Sequence, residues 1–261
     1  MIFCNILITI NMSNDYKNLL QELQKHNEKA TVSLYIPSAN TFVNFKPLSV
    51  KQQTSIITGV MNSHQDKNAY AYQNILDDII LKNCESEQSD QILAIDRASI
   101  LVQLRLLTIG ENMEIEGVEY NLKKHVDEFT QTVSDVRTQE QTLEYEGINV
   151  DCSPPTLKHE YNVNVEVPQV FKNTTDKESV SNIFLIELTK YVDRVSFSDN
   201  QIEFGELTLR QKIQICEMLP MVLSQKIVEY IEQIREYETP HVKLVQGDKT
   251  IELPIDSQLF N

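Results

Sequence analysis

Two short stretches fix where helices must begin in this chain, and what comes before the first of them fixes a hairpin. Ser49-Val50-Lys51-Gln52 follows Phe45-Lys46-Pro47-Leu48, and Thr208-Leu209-Arg210-Gln211 repeats the device after Leu207. In each, the hydroxyl can accept from the backbone N–H three residues on. The glutamine can reach back to the N–H of the hydroxyl residue. That reciprocal arrangement is a capping box. Upstream of Ser49, residues 31–36 alternate with Val32, Leu34 and Ile36 on one face. A Pro37-Ser38-Ala39-Asn40 turn leads to a second strand over 42–45, which predicts a hairpin running directly into a capped helix.

The remaining periodicity continues this mixture. Residues 15–27 predict a short amphipathic helix with Leu19, Leu20 and Leu23 on one stripe. Helices are expected over 49–61, 69–81 and 96–107, and again over 175–192, 208–219 and 220–237. Residues 123–133 read as a short helix or an extended arm. Alternation predicts strands over 114–122, with a break at Gly117, and over 143–150 and 161–167, with Val163, Val165 and Val167 sharing a face. Hairpins are expected over 195–204, around Ser198-Asp199-Asn200, and over 241–255, around Gln246-Gly247-Asp248. The fold class that follows is α+β: a helical N-terminal third, a central antiparallel sheet, and a C-terminal helical pair closed by a β-hairpin. Three segments are expected: 1–30, 31–167 and 168–261, with Pro168 opening the last.

Composition narrows the function more than any motif does. The chain carries 38 acidic and 23 basic residues, a formal charge of −15. That surface repels phosphate backbones and anionic membranes. The 6 glycines and the absence of G-x-x-x-x-G-K-[ST] and G-x-G-x-x-G leave no phosphate-cradling loop. Cys4, Cys84, Cys152 and Cys216 form no C-x-x-C pair, which fits reduced cysteines rather than a disulfide framework. The histidines, His26, His64, His125, His159 and His241, lie in no catalytic motif and read as solvent-exposed. Asp77-Asp78 reads as a solvated helix edge rather than a cation site, since successive helix residues point about 100° apart. Residues 2–10 are apolar but lack a basic flank and a cleavage site, and nine residues are too few to span a bilayer. Translation from Met12 is the expectation there, with a stray edge strand as the alternative. Neither catalytic residues, cofactor-binding residues nor metal ligands are predicted.

Order and spacing along the chain carry a resemblance. Pro37-Ser38, then Phe45-Lys46-Pro47-Leu48-Ser49-Val50-Lys51-Gln52-Gln53, is similar to the opening of the baseplate hub family of T-even-type contractile-tailed phages. So are Asp96-Arg97 with Leu104-Arg105, Val118-Glu119-Tyr120-Asn121-Leu122, and Glu206-Leu207-Thr208-Leu209-Arg210-Gln211-Lys212. The closing Ile251-Glu252-Leu253-Pro254-Ile255-Asp256-Ser257-Gln258-Leu259-Phe260 fits as well. Some members of that family carry a C-x-x-C pair ahead of the 118–122 strand. Here the region reads Glu111-Asn112-Met113-Glu114-Ile115-Glu116-Gly117, so a metal-supported hairpin is not implied.

The resemblance implies a non-enzymatic hub subunit or hub assembly factor. It would act by docking onto other baseplate hub proteins of the same phage, with no nucleic acid, membrane or small-molecule partner. It would work in the host cytoplasm during assembly and at the virion tail baseplate. Apolar, β-rich terminal segments supply the candidate interface: Phe42, Phe45, Leu48, Leu253, Ile255 and Phe260. A charge at Phe45 or Phe260 is expected to block assembly and spare the monomer. Two other classes stay open at this point: an acidic-site, metal-dependent hydrolase, and an inhibitor whose negative surface mimics nucleic acid.

Overall fold

The computed structural model describes residues 14–63, 70–85, 87–125, 139–170, 176–238, 241–246, 249–255 and 257–260. The apolar 2–10 segment, the arm beyond 125 and the Gly247-Asp248 turn lie outside them. After helix α1 (Asn14–Lys29), strands β1 (Val32–Ile36) and β2 (Thr41–Phe45) pair antiparallel with Leu34 opposite Val43. Their turn closes on Asn40 at φ +48°. It is pinned from outside: the Ser38 backbone N–H and hydroxyl donate to the Asp96 carboxylate at 2.9 and 2.6 Å.

Helices α2 (Val50–Ser63), α3 (Ala71–Asn83) and α4 (Arg97–Thr108) follow. The α2 cap forms as the sequence requires. The Gln52 N–H donates to Ser49 Oγ at 3.3 Å, and the Ser49 N–H donates to Gln52 Oε1 at 2.9 Å. Hairpin and helices bury Leu34, Ile36, Val43, Phe45, Ile56, Ile80, Ile100 and Leu104 in one core.

Three expected strands come out differently. Residues 114–122 are a hairpin, β3 (Asn112–Ile115) with β4 (Val118–Asn121). Residues 143–150 span another, β5 (Gln141–Tyr145) with β6 (Ile148–Cys152). Both reverse at a Glu-Gly pair. Glu116 and Gly117 have φ of 51° and 76°, and Glu146 and Gly147 have 47° and 80°. Two successive positive φ values match the twist of a two-residue hairpin. The third expected strand, 161–167, is helical within α5 (Leu157–Val170). Thr156 Oγ accepts from the His159 N–H at 3.1 Å and starts it. Leu157, Glu160, Val163 and Asn164 turn inward at helical spacing, while Val165 stays exposed. Helical burial outweighs the period-two valine pattern. Pro168 lies in the last turn of α5, so a cut at 167/168 passes through a helix.

Helix α6 (Asp176–Tyr191) runs straight into β7 (Val192–Phe197), which turns at Ser198 into β8 (Asn200–Glu203). Strands β5, β6, β7 and β8 form one antiparallel sheet in that order. Helices α7 (Leu209–Met218) and α8 (Met221–Arg235) complete a second core around Leu143, Val150, Leu223, Ile227 and Ile231. α7 carries the second capping box, from Thr208 to Gln211. A smaller core of Tyr70, Val163, Ile186, Leu209 and Ile213 joins α5 to α6 and α7.

The terminal hairpin, β9 (His241–Gln246) with β10 (Lys249–Pro254), returns to the first core. There it buries Val242, Leu244, Leu253, Leu259 and Phe260. Arg105, 1% exposed, fastens this return. Its Nε donates to the Leu259 carbonyl at 3.1 Å, its Nη2 to the Asn112 carbonyl at 3.0 Å, and its Nη1 to the Gly110 carbonyl.

Candidate protein-docking surface

The sheet β5-β6-β7-β8 has one apolar face. Cross-strand register places Leu143, Val150, Val195 and Ile202 in one row across all four strands. Tyr145, Ile148 and Phe197 line up in the adjacent row on the same face. Helix α8 covers the β5-β6 half with Leu223, Ile227 and Ile231. The Lys226 ammonium anchors it by donating to the Glu144 carbonyl at 2.8 Å.

Cover fails along the row. Leu143 and Val150 are 6% and 0% exposed, but Ile202 is 39% and Phe197 53% exposed. The uncovered half forms a trough of about 500 Å³. Its floor is Ile148, Val195, Phe197 and Ile202, and its wall is Leu207, Ile215 and Met218 beside α7. At the corner that leads from α7 into α8, Met218 and Met221 are both at least 80% exposed. A contiguous apolar surface of this kind marks an interaction site. Exposed acidic residues flank the lining positions along the chain: Asp199, Glu206 and Glu217.

The interface residues expected from sequence lie elsewhere. Phe45, Leu48, Leu253 and Phe260 are buried in the first core, and Ile255 packs half-buried against it. The alternation that made Phe45 conspicuous is what turns it inward beside Leu34 and Val43. A charge at Phe45 or Phe260 therefore strikes the monomer's own core, which corrects the expectation that the monomer would be spared. Of the six, Phe42 alone is exposed, at 64%, with its ring edge-on to Tyr35 at 5.4 Å. The trough residues escaped notice because their signal is a mismatch: a four-strand apolar row whose helical cover reaches only its β5-β6 half.

A buried ion network ties α3, α4, α5 and α6 together. Arg97 donates to Asp77 at 2.5 and 3.2 Å and to Glu160 at 2.6 Å. Lys190 donates to Glu160 at 3.2 Å and to Glu187 at 2.7 Å, and its ammonium lies 4.4 Å from the Tyr70 ring centroid. Gln73 Nε2 adds a donor to Glu160 at 2.8 Å. Asp77 is wholly buried, so the solvated-edge reading of Asp77-Asp78 is corrected: Asp78 pairs with Lys82 and Asp77 faces inward.

Burial pushes the Asp77 carboxyl up to about 6 against the pull of Arg97. Burial also acts to raise Glu160, but Arg97 and Lys190 together hold it down to about 2. Burial likewise pushes the Cys84 thiol up to about 11 and the Cys152 and Cys216 thiols up to about 12, so all three stay protonated and unreactive. His159 is half-buried and its imidazole is pushed down chiefly by burial, which corrects the exposed reading, whereas His241 is exposed. No group of His, Cys, Asp and Glu among the described residues has the arrangement to hold a metal ion. No helix among them is long and apolar enough to cross a membrane.

The described residues thus form an α+β scaffold tied together by a buried ion network, with an open apolar trough on one sheet face. The chain belongs to the family described as T4 bacteriophage base plate protein, whose model matches residues 27–243 of the 261. It is thus a structural phage baseplate protein, associated with the virion tail. No curated protein and no solved structure matches it.

Proposed function

We propose that this chain serves the central hub of the baseplate, as a hub subunit or as a factor that assembles the hub. It does so by docking onto other hub proteins of the same phage, without catalytic turnover. The observation that supports this reading is the half-covered sheet face. A face buried at Leu143 and Val150 and open at Ile202 and Phe197 is an incomplete core. A neighbouring chain completes it. The charge of −15 speaks for protein neighbours over nucleic acid or anionic membrane, and it keeps chains apart until a matched apolar surface meets the trough.

The test is co-expression of a tagged chain with the phage's other hub proteins. Ile202→Glu together with Phe197→Glu alters exposed positions only. The variant is expected to keep its circular dichroism spectrum and fall out of the hub complex. Recovery at the wild-type level would overturn the reading. Mass spectrometry of purified virions then separates a resident subunit from a factor that leaves.

A further inference from the structure

The trough has room for one more helix, and the chain carries a helix whose apolar stripe lacks cover. Strands lie about 4.8 Å apart, so a four-stranded face is about 19 Å wide. A helix with its side chains is about 10 Å across. Two helices thus fill such a face; α8 takes one place, over β5 and β6, while α7 packs into the same core from the side and only walls the trough. The other place, over β7 and β8, is the trough.

Helix α1 supplies a fitting occupant. Leu19, Leu20 and Leu23 project from one side of it, each 38% exposed or more. Leu23 follows Leu19 by four residues and Leu20 by three, the spacings by which an amphipathic helix anchors in a groove. The α1 of the same chain is not there, since none of its residues lines the trough and its leucines remain exposed.

Charge agrees with shape. Residues 14–29 hold three acidic and three basic side chains, so α1 is neutral on a chain of net charge −15. It can approach the acid-flanked trough without the repulsion that any other average stretch of this surface would meet, and its exposed Lys17 suits the flanking Asp199, Glu206 and Glu217.

We infer that α1 of one copy docks in the β7-β8 trough of a second copy, so that this protein self-associates through two different patches. The inference rests on the trough being a baseplate joint, and it names the partner as this chain itself. Contact between unlike patches either closes, reciprocally or in a ring, or propagates as a filament.

Light scattering and sedimentation of the purified full chain test it. The average mass should rise above 30.1 kDa with concentration through the micromolar range. Leu19→Glu/Leu23→Glu, on α1, and Ile202→Glu/Met218→Glu, in the trough, should each stay monomeric with an unchanged circular dichroism spectrum. An equimolar mixture of the two variants should dimerise again, more weakly, because each supplies the patch that the other lacks. A wild-type chain that stays monomeric at every concentration would overturn the inference. So would association that survives either variant. So would a mixture that stays monomeric while wild type associates, since the intact α1 of one variant then fails to bind the intact trough of the other. If wild type is monomeric but trough variants still drop out of the hub complex, a different chain fills the trough: this inference falls and the hub reading stands.

Discussion

Replacing Arg97 with leucine should be among the most damaging single changes in this protein, and the cost should depend on pH. Arg97 is the only donor to Asp77 among the described side-chain contacts, at 2.5 and 3.2 Å, and it also holds Glu160 at 2.6 Å. Glu160 keeps Lys190 and Gln73 when Arg97 is lost. Asp77, with no exposed surface, keeps nothing comparable. Removing one partner of a buried pair costs about 3–5 kcal/mol, because the other charge is stranded. That is a large share of a typical stability of about 5–15 kcal/mol.

The stranded carboxylate has an escape, which is to take up a proton. Asp77 already titrates near 6 with Arg97 in place, and losing Arg97 moves it higher. The cost should accordingly grow as pH rises above about 6 and be larger at about pH 8.5 than at about pH 5, where Asp77 is neutral in both proteins and more than half of the cost should be gone. Urea unfolding followed by circular dichroism at the two pH values measures both numbers. Asp77→Asn added to Arg97→Leu should recover about 2 kcal/mol at the higher pH, since an amide is less costly to bury than a stranded charge. A cost below about 1 kcal/mol, or one equal at both pH values, would refute the reasoning, since a surface-like pair is worth no more than that.

Glu160 gives the opposite pH sign. Its carboxyl is held near 2 against an ordinary 4.5, so its contribution is full above pH 4.5 and is lost as pH falls toward 2. That shift corresponds to on the order of 3 kcal/mol. Glu160→Gln should therefore flatten the acid limb of the stability profile in that window. Asp77 contributes in reverse, its cost being relieved as pH falls from 6 to 3.8. Arg105→Met should strand three carbonyls and loosen the terminal segment, lowering stability by about 2–4 kcal/mol. Hydrogen exchange should show the loss first at residues 257–260. Phe260→Asp places a carboxylate in the first core and should unfold the monomer outright, by calorimetry, rather than block assembly alone.

Much of the fold is legible in local chemistry. The boxes at Ser49 and Thr208 mark true helix starts, and the stripe Leu223, Ile227, Tyr230, Ile231, Ile234 faces inward as its spacing demands. Where sequence reasoning failed, two local signals competed. Val163, Val165 and Val167 alternate like a strand, but Thr156 caps a helix and burial follows helical spacing instead. Glu116-Gly117 and Glu146-Gly147 make tight reversals without the asparagine or aspartate that usually announces one, and each cut one expected strand into two.

The site was less legible. Whether Phe45 meets solvent or core depends on the end of α3 returning to bridge it at Cys84. Whether Ile202 is covered depends on how many helices pack on its sheet. Asp77 sits seven residues after Tyr70 and three before Ile80, on the buried stripe of α3, so its inward position was readable there. Its partners were not, because Glu160 and Lys190 come from α5 and α6.

The acidity of the chain sets the salt dependence of the proposed self-association. Two copies at −15 each repel across any shared surface. That repulsion is long-ranged at low salt, where the screening length is about 30 Å at 0.01 M, and short at about 8 Å near physiological strength. Burying Leu19, Leu20 and Leu23 against Ile202 and Met218 is an apolar gain that salt does not weaken. Association should therefore tighten as salt rises, and tighten most steeply below about 0.15 M. Contacts made chiefly by ion pairs do the reverse, weakening as their Coulomb attraction is screened. Sedimentation equilibrium across that salt range separates the two. A mass that falls with added salt would mean that the charge of α1, not its leucines, holds the copies together, and the trough would then have no part in joining them.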